Sequence, residues 1–184
     1  MSEIFFNINW MGFNLLLAGI GLILTQFVIK ARSRTSQFFF GILWLLFLPN
    51  TIYIVTDIIH LPESLSHTQG VFQVVVIAQY MIFEIVGIAS FFYSLFPFEK
   101  LLHKKFPTHN VAIMNSIIVF NFIIAFGLIL GRVQRTNSWD VFTNINRVLN
   151  DSVRTFSSVE LMLYTFLFGL LGNMVYFSLK QFLK

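Results

Sequence analysis

Residues 38–61 read FFFGILWLLFLPNTIYIVTDIIHL, an apolar run with ionisable side chains near its end. A helix needs about 20 mostly apolar residues to cross a bilayer, so this run predicts a membrane span. It nevertheless contains Asp57 and His60, and ionisable groups in hydrocarbon are normally kept for a site, a proton relay or an ion pair. Any chemistry of this protein is therefore expected around these two residues.

Four more apolar runs of similar length occur at residues 10–29, 71–96, 111–130 and 159–179. The composition is also that of a membrane protein, because 57% of the residues are hydrophobic and only 11% are charged, against about 25% charged in an average soluble domain. We predict a single integral membrane domain over residues 1–184, an all-α polytopic bundle of about five transmembrane helices in the cell membrane. The chain has no cysteine, which excludes disulfides and thiolate chemistry.

The basic residues predict the orientation of the helices. Most of them lie in the connections after the first and third runs and near the C-terminus: Lys30, Arg32, Arg34, Lys100, Lys104, Lys105, Lys180 and Lys184. Because basic connections are retained in the cytoplasm, the N-terminus is expected outside and the C-terminus in the cytoplasm. The basic residues form no continuous tract, so the net charge of +4 does not predict a nucleic-acid partner.

The connection between the fourth and fifth runs disagrees with this orientation. It would lie outside, yet it carries four arginines, Arg132, Arg135, Arg147 and Arg154. Apolar and polar residues fall on opposite sides of a helix drawn over residues 139–156, which predicts an amphipathic helix in the membrane interface. Ser138 would be its N-cap, with Asp140 in the first turn. A helix packed on the protein's own surface would show the same pattern, so both interpretations stay open.

The polar residues of the second run share one face of the predicted helix. At about 100° per residue, they fall within an arc of about 80°: Asn50, Tyr53, Asp57 and His60. Pro49 has no backbone N–H to donate, so it predicts a kink near the middle of the span. The third run contains Glu84, at a depth of about 20 Å from its outer end.

Two motifs carry a resemblance to a known family. The first is PNxxYxxTDxxHL over residues 49–61, and the second is GRxxRxNSWD over residues 131–140. Together they resemble the bacterial membrane proteins that are grouped as domain of unknown function 1361, and the resemblance covers most of the chain. It implies an integral membrane protein and no particular activity.

Three interpretations of these residues stay open. In the first, Asp57 pairs with Arg132 or Arg135, because buried charges are normally paired. His60 and Asp140 would join the same interhelical ion-pair network. The other polar residues of the cluster would form interhelical hydrogen bonds or anchor the chain at the interface: Asn50, Tyr53, Asn137 and Trp139. The protein would then be a membrane protein of unassigned activity.

The second interpretation is a membrane-embedded hydrolase or transferase that acts on a lipid or a lipid-linked phosphate. Asp57 and His60 would be the catalytic pair, or they would bind a divalent metal such as magnesium or calcium. Glu84, as a third candidate catalytic residue, or Asp140 would complete the metal shell. Without a metal, His60 would act as a general base.

In such an enzyme Arg132 and Arg135 would bind the anionic headgroup of a lipid through paired hydrogen bonds. The third interpretation is a proton- or ion-coupled transporter with a path along the kinked helix. The apolar runs show no obvious inverted repeat, so a transporter of this kind would need to form a homo-oligomer. All three interpretations place the protein in a lipid bilayer.

Overall fold

The computed structural model of the chain describes residues 2–182, and Met1, Leu183 and Lys184 lie outside this range. Within it, five helices are long and apolar enough to cross a membrane: Glu3–Lys30, Arg34–Ser66, Val71–Lys105, Asn110–Arg132 and Val159–Phe182. The architecture is thus the all-α bundle that the sequence predicts. Lys184, one of the basic residues after the fifth apolar run that are expected in the cytoplasm, lies outside the described residues.

We number the α-helices in chain order. They are α1 (Ser2–Lys30), α2 (Arg34–Phe47), α3 (Pro49–Tyr53), α4 (Leu61–Ser66), α5 (Val71–Lys105), α6 (Asn110–Arg132), α7 (Asp140–Thr143), α8 (Ile145–Ser157) and α9 (Val159–Phe182). A 3-10 helix, Ile54–His60, lies between α3 and α4. The helix α1 packs against α2 and α5, and α6 packs against α9, while α3 contacts both α5 and α6. The second span therefore lies in the middle of the bundle.

The α-helical hydrogen bonding of the second span is interrupted at Leu48, although the backbone of Leu48 keeps a helical conformation with a φ of −58° and a ψ of −38°. The helix α2 ends at Phe47, two residues before the proline, and Leu48 still donates its N–H to the carbonyl of Trp44 at 2.8 Å. The carbonyl of Phe47 accepts from the side chain of Asn50 at 3.0 Å, and the carbonyl of Leu48 accepts from Thr51 Oγ1 at 2.7 Å. Side chains thus bond to backbone carbonyls where the α-helical hydrogen bonding within the span is interrupted. After the short helix α3 the chain winds as the 3-10 helix Ile54–His60, in which residues three apart share one side.

This segment packs closely against two glycines on neighbouring helices. A Cβ on Gly127 of α6 would lie 2.5 Å from Cγ of Pro49, and a Cβ on Gly87 of α5 would collide with the side chain of Ile54. Any larger residue at either glycine would therefore push the second span away. The break is held between α5 and α6 by close contact, and this fixes the position of the polar residues that follow it.

The amphipathic segment after α6 differs from the prediction. Instead of one helix over residues 139–156 there are two, α7 and α8, separated at Asn144, whose backbone leaves the helical conformation with a φ of −152° and a ψ of 66°. The N-cap of α8 is Asn144, which accepts from the N–H of Arg147 at 3.2 Å, so the prediction of Ser138 as the N-cap was wrong. The apolar face of α8 is left uncovered, with Leu149 56% exposed and Phe156 64% exposed. An uncovered apolar face favours a helix in the membrane interface over one packed on the protein.

Candidate functional site

Asp57 lies in the 3-10 helix and is 2% exposed, although it is an acid in a membrane-spanning segment. Its Oδ1 accepts a hydrogen bond from Nη1 of Arg132 at 2.6 Å, and the same contact is an ion pair. Its Oδ2 accepts from Nδ2 of Asn14 at 2.8 Å. Both carboxylate oxygens are therefore engaged, and the second span, α1 and α6 meet at one side chain.

Arg132 is the last residue of α6, and its side chain is 19% exposed. Besides the ion pair with Asp57, it donates to the hydroxyl of Tyr53 at 3.2 Å and to the carbonyl of Thr56 at 3.3 Å. Its Nη2 also lies 3.1 Å from Nε2 of His60. A guanidinium has only donors, so this nitrogen of His60 is the acceptor and the ring proton sits on Nδ1. The lone pair that a general base would use is occupied by Arg132.

Three of the four polar residues predicted to share one face of the second span meet at Arg132. Tyr53, Asp57 and His60 all contact Arg132, as described above. Asn50 does not join them, because its side-chain amide donates to the hydroxyl of Ser138 at 3.0 Å. Both of the motifs noted in the sequence therefore meet in space, but at two neighbouring points rather than one.

Asp140 belongs to a separate cluster in the connection between α6 and α8. Its Oδ2 accepts from the backbone N–H of Asn137 at 2.7 Å and lies 4.0 Å from Nη1 of Arg147. The same arginine places its Nε 3.6 Å from Oδ2 of Asp151, which also accepts a hydrogen bond from Thr136 at 2.5 Å. These contacts order the turn itself. Asp140 therefore lies outside the group around Arg132.

The two arginines of the second motif have different surroundings. Arg135 is exposed, has a φ of 56°, and presents its carbonyl to Nη2 of Arg147 at 2.8 Å. Its own guanidinium makes no ion pair with any of residues 2–182, whereas Arg132 is paired with Asp57. Trp139 is 36% exposed and meets the ring of Phe13 edge-on, with 6.5 Å between ring centroids. An anionic headgroup would therefore find Arg135 available and Arg132 already occupied.

Glu84 is placed on α5, where its Oε1 is buried without a hydrogen-bond partner in the described part of the chain. Among residues 2–182, no three His, Asp or Glu side chains are arranged to hold a metal ion. The metal shell expected from Asp57, His60, Glu84 and Asp140 is thus not assembled by these residues in this arrangement.

Sequence reasoning missed the contribution of α1. Asn7 donates to Ser64 at 3.2 Å, Ser64 lies 3.1 Å from the hydroxyl of Tyr80, and Trp10 donates to Asn7 at 3.1 Å. With the bond from Asn14 to Asp57, these contacts line one face of α1 with polar groups. The signal was present, because Asn7 and Asn14 are two helical turns apart and so share a face.

One cavity borders the ion pair and a second lies next to it. The larger has a volume of about 640 Å³ and is bordered by the ion pair and by further polar side chains, Glu3, Asn7, His60, Glu63, Ser64 and His67. The smaller has a volume of about 300 Å³ and lies on the side of Asn50, Ser138 and Trp139. Asn14 and Tyr53 border both cavities, so they form the wall between them.

A second buried carboxylate lies at the other end of the bundle. Glu99 of α5 is 2% exposed, and it accepts from the hydroxyl of Tyr176 at 2.6 Å and from Nζ of Lys180 at 2.5 Å. His103, one turn later, places Nε2 3.5 Å from the same carboxylate. This cluster ties α5 to α9. The sequence analysis did not single it out, because Glu99 lies beyond the predicted end of the third span.

These features define the class of the protein. Over residues 2–182 it is an all-α helical bundle with five helices able to span a membrane, and a buried Asp57–Arg132 pair joins two of them. The sequence profile of a family described as "Protein of unknown function (DUF1361)" matches residues 13–175. The match covers most of the chain, so the protein belongs to this family, as the resemblance of the two motifs predicted. No curated protein and no solved structure matches the chain significantly.

Proposed function

We propose that the residues around Arg132 serve as an interhelical ion-pair network that holds the second span, α1 and α6 in place. The observation that supports this role is that both oxygens of Asp57 accept hydrogen bonds from other helices. The guanidinium of Arg132 in turn has four partners in the second span. A group that acts in a reaction needs a free donor or acceptor. Here the oxygens of Asp57 and both terminal nitrogens of Arg132 already form hydrogen bonds within the protein.

This network also bears on the orientation of the protein. We propose a cell-membrane protein with its N-terminus outside and its C-terminus in the cytoplasm. The basic connections lie at the same end of the bundle as Glu99, and basic connections are retained in the cytoplasm. In this orientation the arginine-rich connection lies outside. Arg132 pairs with Asp57, and Arg147 lies beside Asp140 and Asp151. Much of the positive charge of this connection is therefore neutralised. Arg135 remains exposed and would contact an anionic lipid headgroup.

A double-mutant cycle tests the network. Asp57→Asn and Arg132→Gln each leave one buried charge without its partner, which costs about 3–5 kcal/mol, while the double variant removes both charges and recovers part of the loss. The readout is the free energy of unfolding in mixed micelles. The matched control is Arg135→Gln, which removes an exposed arginine three residues away and is expected to leave stability unchanged. Additive losses in the double variant would contradict the proposal.

A second candidate is a membrane-embedded hydrolase or transferase acting on a lipid or lipid-linked phosphate. It is favoured by one observation: Asp57, His60 and Arg132 border the cavity of about 640 Å³, which would accommodate a polar headgroup. In that case a substrate phosphate would displace His60 from Arg132 and free the imidazole to act as a base.

The test of this candidate is phosphate release from lipid phosphates in vesicles, with and without magnesium. An enzyme requires that turnover is lost in His60→Ala while the variant is still folded at the assay temperature. The control variant is His67→Ala, which changes an exposed histidine at the rim of the same cavity. Equal turnover in the parent protein and in His60→Ala would rule out a catalytic role for this residue.

A further inference from the structure

The cavity of about 300 Å³ is bordered by residues from both sequence motifs, and of these motif residues only Tyr53 bonds to Arg132. It lies between α1, α3, the end of α6 and the turn that follows α6. Its polar border consists of Asn14, Asn50, Tyr53, Thr136, Asn137 and Ser138, with the indole of Trp139 beside them. The two motifs therefore build a common space in addition to the ion pair.

The polar border of this cavity carries no formal charge, since none of the residues that line it is ionisable apart from the phenol of Tyr53. An anion or a cation entering it would lose its water without finding a counter-charge, which is costly. The neighbouring charge of Arg132 does not compensate, because Arg132 is paired with Asp57 and borders only the larger cavity. The chemistry of the cavity thus favours an uncharged polar group.

The hydrogen bonds within the border leave a mixture of donors and acceptors. The amide nitrogen of Asn50 is used by Ser138, and that of Asn14 is used by Asp57, so each amide keeps its oxygen as an acceptor. The hydroxyl of Ser138 accepts from Asn50 and keeps its own proton to donate. Alcohol groups both donate and accept, so a hydroxyl-rich group matches this mixture.

The opposite wall of the cavity is apolar. It is formed by side chains of α1, α2 and α6, Phe13, Leu17, Leu45, Leu46, Ile123 and Phe126. A volume of about 300 Å³ is at the lower end of the range for ligand pockets, enough for one headgroup but not for a whole lipid. The rest of an amphiphile would then lie along these apolar side chains and in the bilayer.

We propose that this cavity binds the uncharged, hydroxyl-rich head of an amphiphile, as in a glycolipid. The polar head contacts the amides and hydroxyls of the two motifs, and the indole of Trp139 lies against the ring of the sugar. The alkyl chain follows the apolar wall. This binding site is separate from any catalysis in the larger cavity, and it shares Asn14 and Tyr53 with the ion-pair network.

The experiment measures binding of octyl glucoside, below its critical micelle concentration, to the full-length protein in nanodiscs by calorimetry and by the shift of the thermal midpoint. Octyl phosphate, with the same chain and a charged head, is the comparison probe. We expect saturable binding of the glucoside and at least about tenfold weaker binding of the phosphate, because the phosphate finds no counter-charge.

The decisive variant is Asn137→Ala, since the side chain of Asn137 makes no hydrogen bond to residues 2–182 and its loss should not unfold the protein. Its matched control is Asn146→Ala, an exposed asparagine on α8 that does not border the cavity. Binding of the glucoside should weaken about fivefold to tenfold in Asn137→Ala and stay unchanged in the control. Equal binding in both variants, or equal binding of the two probes, would overturn the proposal.

Discussion

Asp57 and Glu99 are both 2% exposed, yet they differ in what surrounds them. Glu99 lies in the unbroken helix α5 and is closed off by two donors from α9, Tyr176 and Lys180. Asp57 lies just after a break in its helix, is reached by donors from α1 and α6, and borders a cavity. Equal burial of two carboxylates therefore does not mean equal surroundings. Only the carboxylate at the broken helix has both a tight ion pair and a space in which a ligand would fit.

The largest expected effect separates the two carboxylates directly. Asp57→Ala leaves Arg132 at the junction of three segments without its counter-charge, and we expect a loss of about 3–5 kcal/mol in the free energy of unfolding. Glu99→Ala frees Lys180, whose side chain is 24% exposed near the end of α9 and can turn toward water, but it also leaves the buried hydroxyl of Tyr176 without its acceptor. We therefore expect a smaller loss, of about 2–3 kcal/mol. Both variants are compared by unfolding in the same mixed micelles. A larger loss for Glu99→Ala would reverse the comparison.

The next effect uses the same substitution at both ends. Tyr176→Phe removes a hydrogen bond of 2.6 Å to a buried carboxylate, and bonds to charged groups contribute about 1.5–3 kcal/mol. Tyr53→Phe removes an acceptor of Arg132 at 3.2 Å beside two cavities, where water can replace it, so its loss should stay below about 1 kcal/mol. Thermal unfolding of the two variants in one detergent measures the difference. Equal losses would indicate that the cavities are dry.

A smaller effect concerns the contribution of α1. Asn14→Ala removes the donor to Oδ2 of Asp57, and we expect a loss of about 1–2 kcal/mol in the free energy of unfolding. The control is Asn9→Ala, an exposed asparagine on the same helix, which should be neutral. If the two variants behave alike, α1 does not stabilise the ion pair.

The smallest effect is expected at His60. His60→Ala removes one acceptor of Arg132, and we expect a loss of about 0.5–1 kcal/mol, because Arg132 keeps Asp57, Tyr53 and Thr56. His60→Gln retains a side-chain acceptor and should recover most of this loss. Thermal midpoints of the two variants decide the matter. A loss larger than that of Asn14→Ala would make His60 a central part of the network.

The spans could be read from the sequence because the requirement is simple, about 20 apolar residues in a row. Their ends could not, because polar flanking residues continue the helices beyond the bilayer core. The third span illustrates this, since it was predicted to end at residue 96 and α5 in fact continues to Lys105. The extension carries Glu99 into a helix beside α9. A residue that looked like part of a loop is therefore the centre of a buried cluster.

The candidate site was predictable in part for a similar reason. Helical spacing placed Tyr53, Asp57 and His60 on one side, and the 3-10 winding kept Asp57 and His60 together because they are three residues apart. The choice between Arg132 and Arg135 was beyond a sequence argument. It depends on the end of α6 at Arg132 and on the left-handed backbone of Arg135, which the spacing of the residues does not predict.

The ion pair has a consequence for the order of assembly. Asp57 and Arg132 are 75 residues apart, so during synthesis the second span is complete long before α6 exists. Asn14 is already available by then, because it precedes Asp57 by 43 residues. Before the fourth span is synthesised, the carboxylate of Asp57 can therefore bond only to the amide of Asn14 or to water. Pro49 packs against Gly127 of the same helix α6. Insertion of α6 is therefore the step that both neutralises Asp57 and fixes the position of the second span at Pro49.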